Sequence, residues 1–242
     1  MYEERKYREW VRHDDLVAVR VMEEETDLMV SGDVDLSAAA AEAIAKYRGQ
    51  IKGYIAKNRE FQTALKPLTV AEDAPDIVKE MAKAAKLVGV GPMASVAGAV
   101  AEYVGRDLLS HSRQIIVENG GDIFLKTSSR RLLGIYAADS PFTGKLALQI
   151  EPDQTPLGIC TSSGTVGHSL SFGRADAAIV LSKWTALADA VATATGNMVK
   201  SALDVQPAVE FARAIEGVLG VIVILGDKIG AWGDVEIARI QA

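Results

Sequence analysis

Cysteine is almost missing from this chain: Cys160 is the only one in 242 residues. A lone cysteine cannot close an intramolecular disulfide, so the fold must hold without one, as expected in a reducing compartment. Histidine is scarce too, limited to His13, His111 and His168. No zinc spacing, Walker loop or GxSxG elbow occurs. Long apolar runs are lacking. The most apolar stretch, GVLGVIVILG at 217–226, falls short of the ~20 residues that span a bilayer. The charged start, MYEERKYREWVRHDD, has no apolar signal segment. Basic excess is lacking as well: a net charge of −6 argues against a general nucleic-acid binder, while allowing a local basic patch around an anion. The expectation is a soluble, cytoplasmic protein with no membrane or nucleic-acid partner.

What is present supports a substantial core, with 49% hydrophobic and 24% charged residues. The segment DLVAVRVME (15–23) alternates as a half-buried strand does, and EET leads into TDLMVSG as a hairpin. Asp33 and Asp35 precede a long alanine-rich periodic run that ends before Pro67, which predicts a helix. A second helix is expected from about Pro75 to GVGP (89–92), and a third from Met93 to about Leu109. Strands follow as RQIIVEN, DIFLKT, LLGIYAA, KLALQIE, LGICTSS, HSLSFG and DAAIVLS. A helix is then expected from Trp184 to about Ser201 and another after Pro207, before the closing strands GVIVIL and WGDVEIARI. Strands and helices come in blocks, which predicts an α+β fold with antiparallel sheets rather than a parallel βαβ fold.

The chain also echoes itself. AGAVAEYVG (97–105) and ADAVATATG (188–196) agree at five of nine positions, and IIVENGGDI (115–123) resembles VIVILGDKI (221–229). Alanine-rich coincidence is one explanation. A duplication into two similar α+β units is the other, favoured by the shared helix-then-strand order.

Four segments carry candidate chemistry, each with a plain structural alternative. Asp189 and Thr193 are four apart, on one helix face. They are oxygen ligands suited to Mg²⁺, or a helix-face Asp with a threonine bonded back to its own backbone. Asn119, Gly120, Gly121 and Asp122 form either a tight hairpin turn or a bare backbone that a ligand approaches closely. GVGPMAS (89–95) opens a helix whose free N–H groups suit an anion, although Pro92 is an ordinary helix starter. In GICTSSGTVGHSLSFG (158–173), Cys160 reads as a buried strand residue or as a thiolate paired with His168. Thr161, Ser162, Ser163 and Gly164 offer hydroxyls and amides to an anion.

Taken in order, NGGDI, then TSSG with a following histidine, then ADAVATA, resembles the signature of the ApbE-like superfamily, over about Gly91 to Asn197. Its founding members are FAD-dependent, Mg²⁺-requiring flavin transferases that attach FMN to threonine through a phosphoester. The chain looks closest to a shorter, cytosolic and uncharacterised branch. The resemblance implies duplicated T-fold-like units: one domain whose similar halves are roughly 1–126 and 127–242. It implies Mg²⁺ at Asp189 and Thr193, and FAD or FMN beside Asn119–Asp122 and Thr161–Gly164. His168 matches the family's histidine, but SLSFGRA follows it in place of Asp-Pro. The Lys-Gly usual before NGGD is replaced by AGAVAEY, and Cys160 is extra to the pattern. Three hypotheses follow: a Mg²⁺-dependent flavin or nucleotidyl transferase-like enzyme, a non-catalytic binder of a nucleotide or phosphorylated ligand, or thiol chemistry at Cys160 with His168. The oligomeric state stays open, a homo-oligomer included.

Overall fold

The structure is a computed structural model that describes residues 15–165 and 171–240. Eleven strands and six α-helices occur among them. The first hairpin is β1 (Val17–Glu23) with β2 (Thr26–Gly32), closed by a two-residue turn. The helices α1 (Ser37–Lys57), α2 (Glu60–Thr63), α3 (Asp76–Val88) and α4 (Val96–Leu108) come next. A second hairpin, β3 (Ile115–Asn119) and β4 (Asp122–Lys126), follows, then β5 (Arg131–Gly134) and β6 (Leu146–Ile150). The pattern of hairpin, helices and hairpin then recurs. It runs through β7 (Leu157–Ser162), β8 (Ala177–Ser182), α5 (Thr185–Met198), α6 (Val205–Arg213), β9 (Val218–Leu225) and β10 (Lys228–Gly233), before β11 (Glu236–Arg239).

The fold is α+β with antiparallel sheets. One sheet has eight strands in the order β1-β2-β3-β4-β7-β8-β9-β10, and the other has three, β11-β6-β5. Both faces of the large sheet are covered, and the period of two sorts the side chains between them. In β9, Val221 and Val223 face α5 and α6, whereas Ile222 and Ile224 face the small sheet. Likewise Val117 and Phe124 lie under α1, α3 and α4, and Ile116 and Leu125 lie on the other face. Burial on two sides is why 217–226 reads as an unbroken apolar run. No single helix among the described residues is long and apolar enough to cross a membrane.

Several boundaries differ from the sequence expectation. The first helix stops at Lys57, and Asn58 leaves the helical region before the short α2. Asp35 accepts the Ser37 N–H at the start of α1, but Asp33 instead accepts from Arg113 and Ser112 near β3. The third helix opens as a 3₁₀ turn, Pro92–Ser95, before α4. The α6 helix starts ahead of Pro207, which sits in the first turn, where no intrahelical N–H is needed. The last expected strand is two: Gly233, at φ +90°, ends β10 and β11 joins the small sheet. Within HSLSFG, residues 168–170 lie outside the described residues. Ser171–Gly173 are irregular, and Asn197 accepts the Phe172 N–H at 2.7 Å.

Candidate functional site

Two helices rich in small residues, α4 and α5, cross at Gly98. A Cβ there would lie 2.7 Å from the Thr185 carbonyl oxygen and 2.8 Å from the Asp189 Cβ, so only glycine permits the approach. Neither helix has a side-chain cap of its own. Each is capped by an acid of the other. The Gly98 N–H donates to Asp189 Oδ2 at 2.8 Å, with a second bond from Ala97 N–H. The Thr185 N–H donates to Glu102 Oε2 at 2.8 Å. Carboxylates suit helix N-termini because the first N–H groups lack intrahelical partners and the dipole is positive there.

The contacts have an internal symmetry. Aligning AGAVAEYVG with ADAVATATG sets Gly98 on Asp189 and Glu102 on Thr193, and carries Ala94 onto Thr185. Under that alignment the Glu102–Thr185 contact exchanges with a contact from Thr193 Oγ1 to the Ala94 carbonyl, at 3.5 Å. The Gly98–Asp189 contact maps onto itself. One pole of the crossing thus holds a long acid, and its mate holds a short hydroxyl.

Their electrostatics differ as well. Glu102 is 2% exposed, and burial pushes its pKa up, but Arg106 forms an ion pair with it from one turn along α4. Asp189 is buried with no ion pair among the described residues. Desolvation raises its pKa to about 7, outweighing the two N–H bonds that lower it. Asp122, at the start of β4, is also buried. Its pKa is pushed well up by burial and by the negative charge of Asp189. Asp122 and Asp189 are thus two buried acids within electrostatic reach of each other, neither with an ion pair among the described residues.

The other expected site residues gather around the start of α4 in part. Asn119 Nδ2 donates to the Ala97 carbonyl at 3.1 Å, and Asp122 accepts the Thr161 N–H at 3.3 Å. Gly120 and Gly121 have φ of 67° and 105°, the paired positive values of a two-residue hairpin turn. A Cβ on Gly121 would be 3.7 Å from the Thr161 carbonyl, ordinary contact, so backbone conformation accounts for that glycine. Ser162 lies at the end of β7, near Gly196. Ser163 Oγ is bonded to Thr165, and the Gly164 N–H donates to the Ala175 carbonyl. A Cβ on Gly164 would strike the Gly173 carbonyl at 2.4 Å, so this glycine serves chain packing.

Cys160 does not have the surroundings of a nucleophile. It is fully buried, its thiol donates to the Thr185 carbonyl at 3.4 Å, and burial beside Asp122 pushes its pKa well up. A reactive thiolate needs the opposite, access and positive charge. Its expected partner His168, like His13, lies outside the described residues. Sequence reasoning missed Glu102, Thr185 and the backbone at 96–98, although GVGPMAS (89–95) marked the start of this helical stretch. The one available signal for Glu102 was a single acid inside the otherwise small and apolar run AGAVAEYVG.

Among the described residues, no group of three His, Cys, Asp or Glu side chains is arranged to hold a metal ion. That excludes a zinc-like ligand set there. A magnesium ion asks less: one or two carboxylates, with other oxygens and retained waters. The buried carboxylate of Asp189, the Thr193 hydroxyl and the Ala94 carbonyl beside it fit that donor chemistry. An open groove of about 410 Å³ lies elsewhere, lined in part by Glu42, Lys46, Arg106, Asp107 and His111. Its charges are largely satisfied, Lys46 by Asp107 and Arg106 by Glu102, and it shares none of the expected site residues.

Comparison with known proteins agrees with this architecture. The model of the family described as AbpE bacteria matches residues 8–226. A UPF0280 protein of Methanococcus aeolicus is 41% identical over 222 residues, covering 90% of this chain and 89% of its own. One from Methanocella arvoryzae is 41% identical over 210 residues, 86% of this chain and 85% of its own. Among solved structures, the apo flavinyl transferase ApbE of Pseudomonas stutzeri aligns with a TM-score of 0.56 at 12% identity, covering 90% of this chain and 93% of that one. A mutant flavin transferase ApbE from Vibrio cholerae aligns at 0.57 and 16% identity, covering 90% and 96%. At such identities these structures speak for the fold. The chain therefore belongs to the AbpE bacteria family, and its fold is like that of the ApbE flavin transferase structures.

Proposed function

We propose that this protein binds a flavin nucleotide, or a similar phosphorylated ligand, together with Mg²⁺ at the start of α4, and acts as a flavin or nucleotidyl transferase-like enzyme. The observation that carries this reading is that Asn119, Asp189 and Thr193 all contact residues 94–98, while Asp122, which accepts the Thr161 N–H, lies within electrostatic reach of Asp189. Those segments are separated by up to 99 residues in sequence.

Asp189 and Thr193 would hold the cation, which when bound supplies charge neutralisation to a phosphate. Asp189 also ties α5 to the α4 N-terminus, and Asp122 ties the glycine turn to β7. The chain reads further as one domain of two similar halves, about 1–126 and 127–242. Repetition of the hairpin–helices–hairpin order and the exchanged helix contacts support that division.

Incubation with FAD and Mg²⁺ tests the reading. Attack of water on the pyrophosphate releases FMN and AMP, whereas attack of a protein hydroxyl leaves FMN on that protein and releases AMP. Either product set should vanish in Asp189→Ala. Absence of both products, with ligand binding unchanged in Asp189→Ala, would sink it. A second reading, nucleotide binding without chemistry, is favoured by SLSFGRA standing after His168 in place of Asp-Pro. Tight binding of FAD with no turnover is its expected result.

A further inference from the structure

The reciprocal capping gives Glu102 a role beyond satisfying a helix end. Taking a carboxylate out of water is costly unless it is compensated, so an acid 2% exposed within a small-residue helix calls for a reason. Its reach supplies one. The α5 N-terminus has no side-chain cap from its own flank; Trp184 precedes it, and the Trp184 N–H goes to Ser182 Oγ at 3.1 Å. Glu102, from 83 residues away, takes the Thr185 N–H, with a further bond from Ala186 N–H. Asp189 lies one turn further along the same helix and bonds back to the first turn of α4. Thr193 lies a turn beyond that, beside Ala94. The two helices thus form a closed ring of contacts, in which Glu102 sets where α5 begins and Asp189 reports the result at Gly98.

We propose that Glu102 is the positioning residue of the cation site: it fixes the axial position of α5, and so places Asp189 and Thr193 against residues 94–98. This rests on the metal reading above, but its structural half can be read without metal. Three variants separate reach from charge. Glu102→Gln keeps the length and an acceptor oxygen for Thr185 but loses the charge. Glu102→Asp keeps the charge and shortens the reach by one methylene. Glu102→Met keeps the bulk without the acceptor, and serves if Glu102→Asp fails to fold.

The test uses the full chain, with Mn²⁺ alone as the probe, its affinity measured by electron paramagnetic resonance. Amide hydrogen exchange at Gly98 is followed in the metal-free protein. Glu102→Gln should bind Mn²⁺ within about threefold of wild type, whereas Glu102→Asp and Glu102→Met should bind on the order of tenfold more weakly, as for residues supporting a metal ligand. Gly98 exchange should stay slow in Glu102→Gln and quicken in the other two. Wild-type values of both readouts in Glu102→Asp and Glu102→Met would overturn the proposal. So would losses in Glu102→Gln matching theirs, because charge rather than reach would then be at work. If wild-type protein binds no Mn²⁺, the metal reading fails, and Gly98 exchange alone decides whether Glu102 places Asp189.

Discussion

The two poles of the α4–α5 crossing have matching backbone settings and opposite chemistry. At one pole Glu102 fills its space, accepts the Thr185 N–H and is paired with Arg106. At the other, Thr193 is too short to do the same, and Asp189, near the pseudo-axis, is buried without a cationic partner. A closed, neutralised acid supports structure. A buried, unneutralised acid with a hydroxyl and a carbonyl oxygen close by has the makings of a site. The difference teaches that the helix echo alone does not mark function; the departure from symmetry does.

The contrast can be broken hardest through pH dependence. The folded-state pKa of Asp189 is raised to about 7, above an unfolded value near ~3.9. The folded state therefore holds this proton more tightly than the unfolded state. The stabilising contribution is full below ~4 and is lost as pH rises towards about 7. Asp189→Asn should flatten that slope by roughly 4 kcal/mol across the window. An unchanged slope would place Asp189 in a wetter setting than the structure shows.

The next effect is at the crossing itself. Gly98→Ala forces a Cβ against the Thr185 carbonyl and Asp189 and should destabilise the protein by about 3 kcal/mol, since neither helix backbone can yield easily. Urea unfolding measures it. A loss under about 0.5 kcal/mol would mean the helices are free to part, and the reciprocal caps would lose their meaning.

Smaller effects follow at the remaining positions. Thr193→Val keeps shape but removes the hydroxyl. It should weaken Mg²⁺ binding on the order of tenfold while moving stability by less than about 0.5 kcal/mol. Equal losses in both would make Thr193 a structural residue, like its mate Glu102. Least affected should be the thiol. Cys160 in the folded protein should resist a thiol reagent up to pH 9 or so and react fully once unfolded, since burial and Asp122 disfavour the thiolate. Rapid labelling of the folded chain would reopen thiol chemistry.

Much of this was legible from residues in order. Periodicity located nearly every element, and the positive-φ turn at Gly120 and Gly121 follows from an Asn-Gly-Gly-Asp run between strands. Asp189 and Thr193 share a helix face at any spacing of four. The rest depends on contacts between distant segments. Glu102 meets Thr185 across 83 residues, and Asp189 meets Gly98 across 91. Local pattern holds no record of such pairings. Cys160 was similarly ambiguous, since a buried strand thiol and a reactive one have the same neighbours in sequence. The early end of α1 at Asn58 and the change of sheet at Gly233 turn on backbone angles that composition only loosely constrains.

Whether Asp189 and Thr193 take a cation decides between a metal site and a purely structural crossing. Carbon-13 NMR titration of the Asp189 carboxyl, with and without Mg²⁺, tests this directly. Without Mg²⁺ the carboxyl should titrate at about 7; with saturating Mg²⁺ it should shift well down, because a bound cation favours the carboxylate. A midpoint that Mg²⁺ leaves unmoved would contradict the assignment.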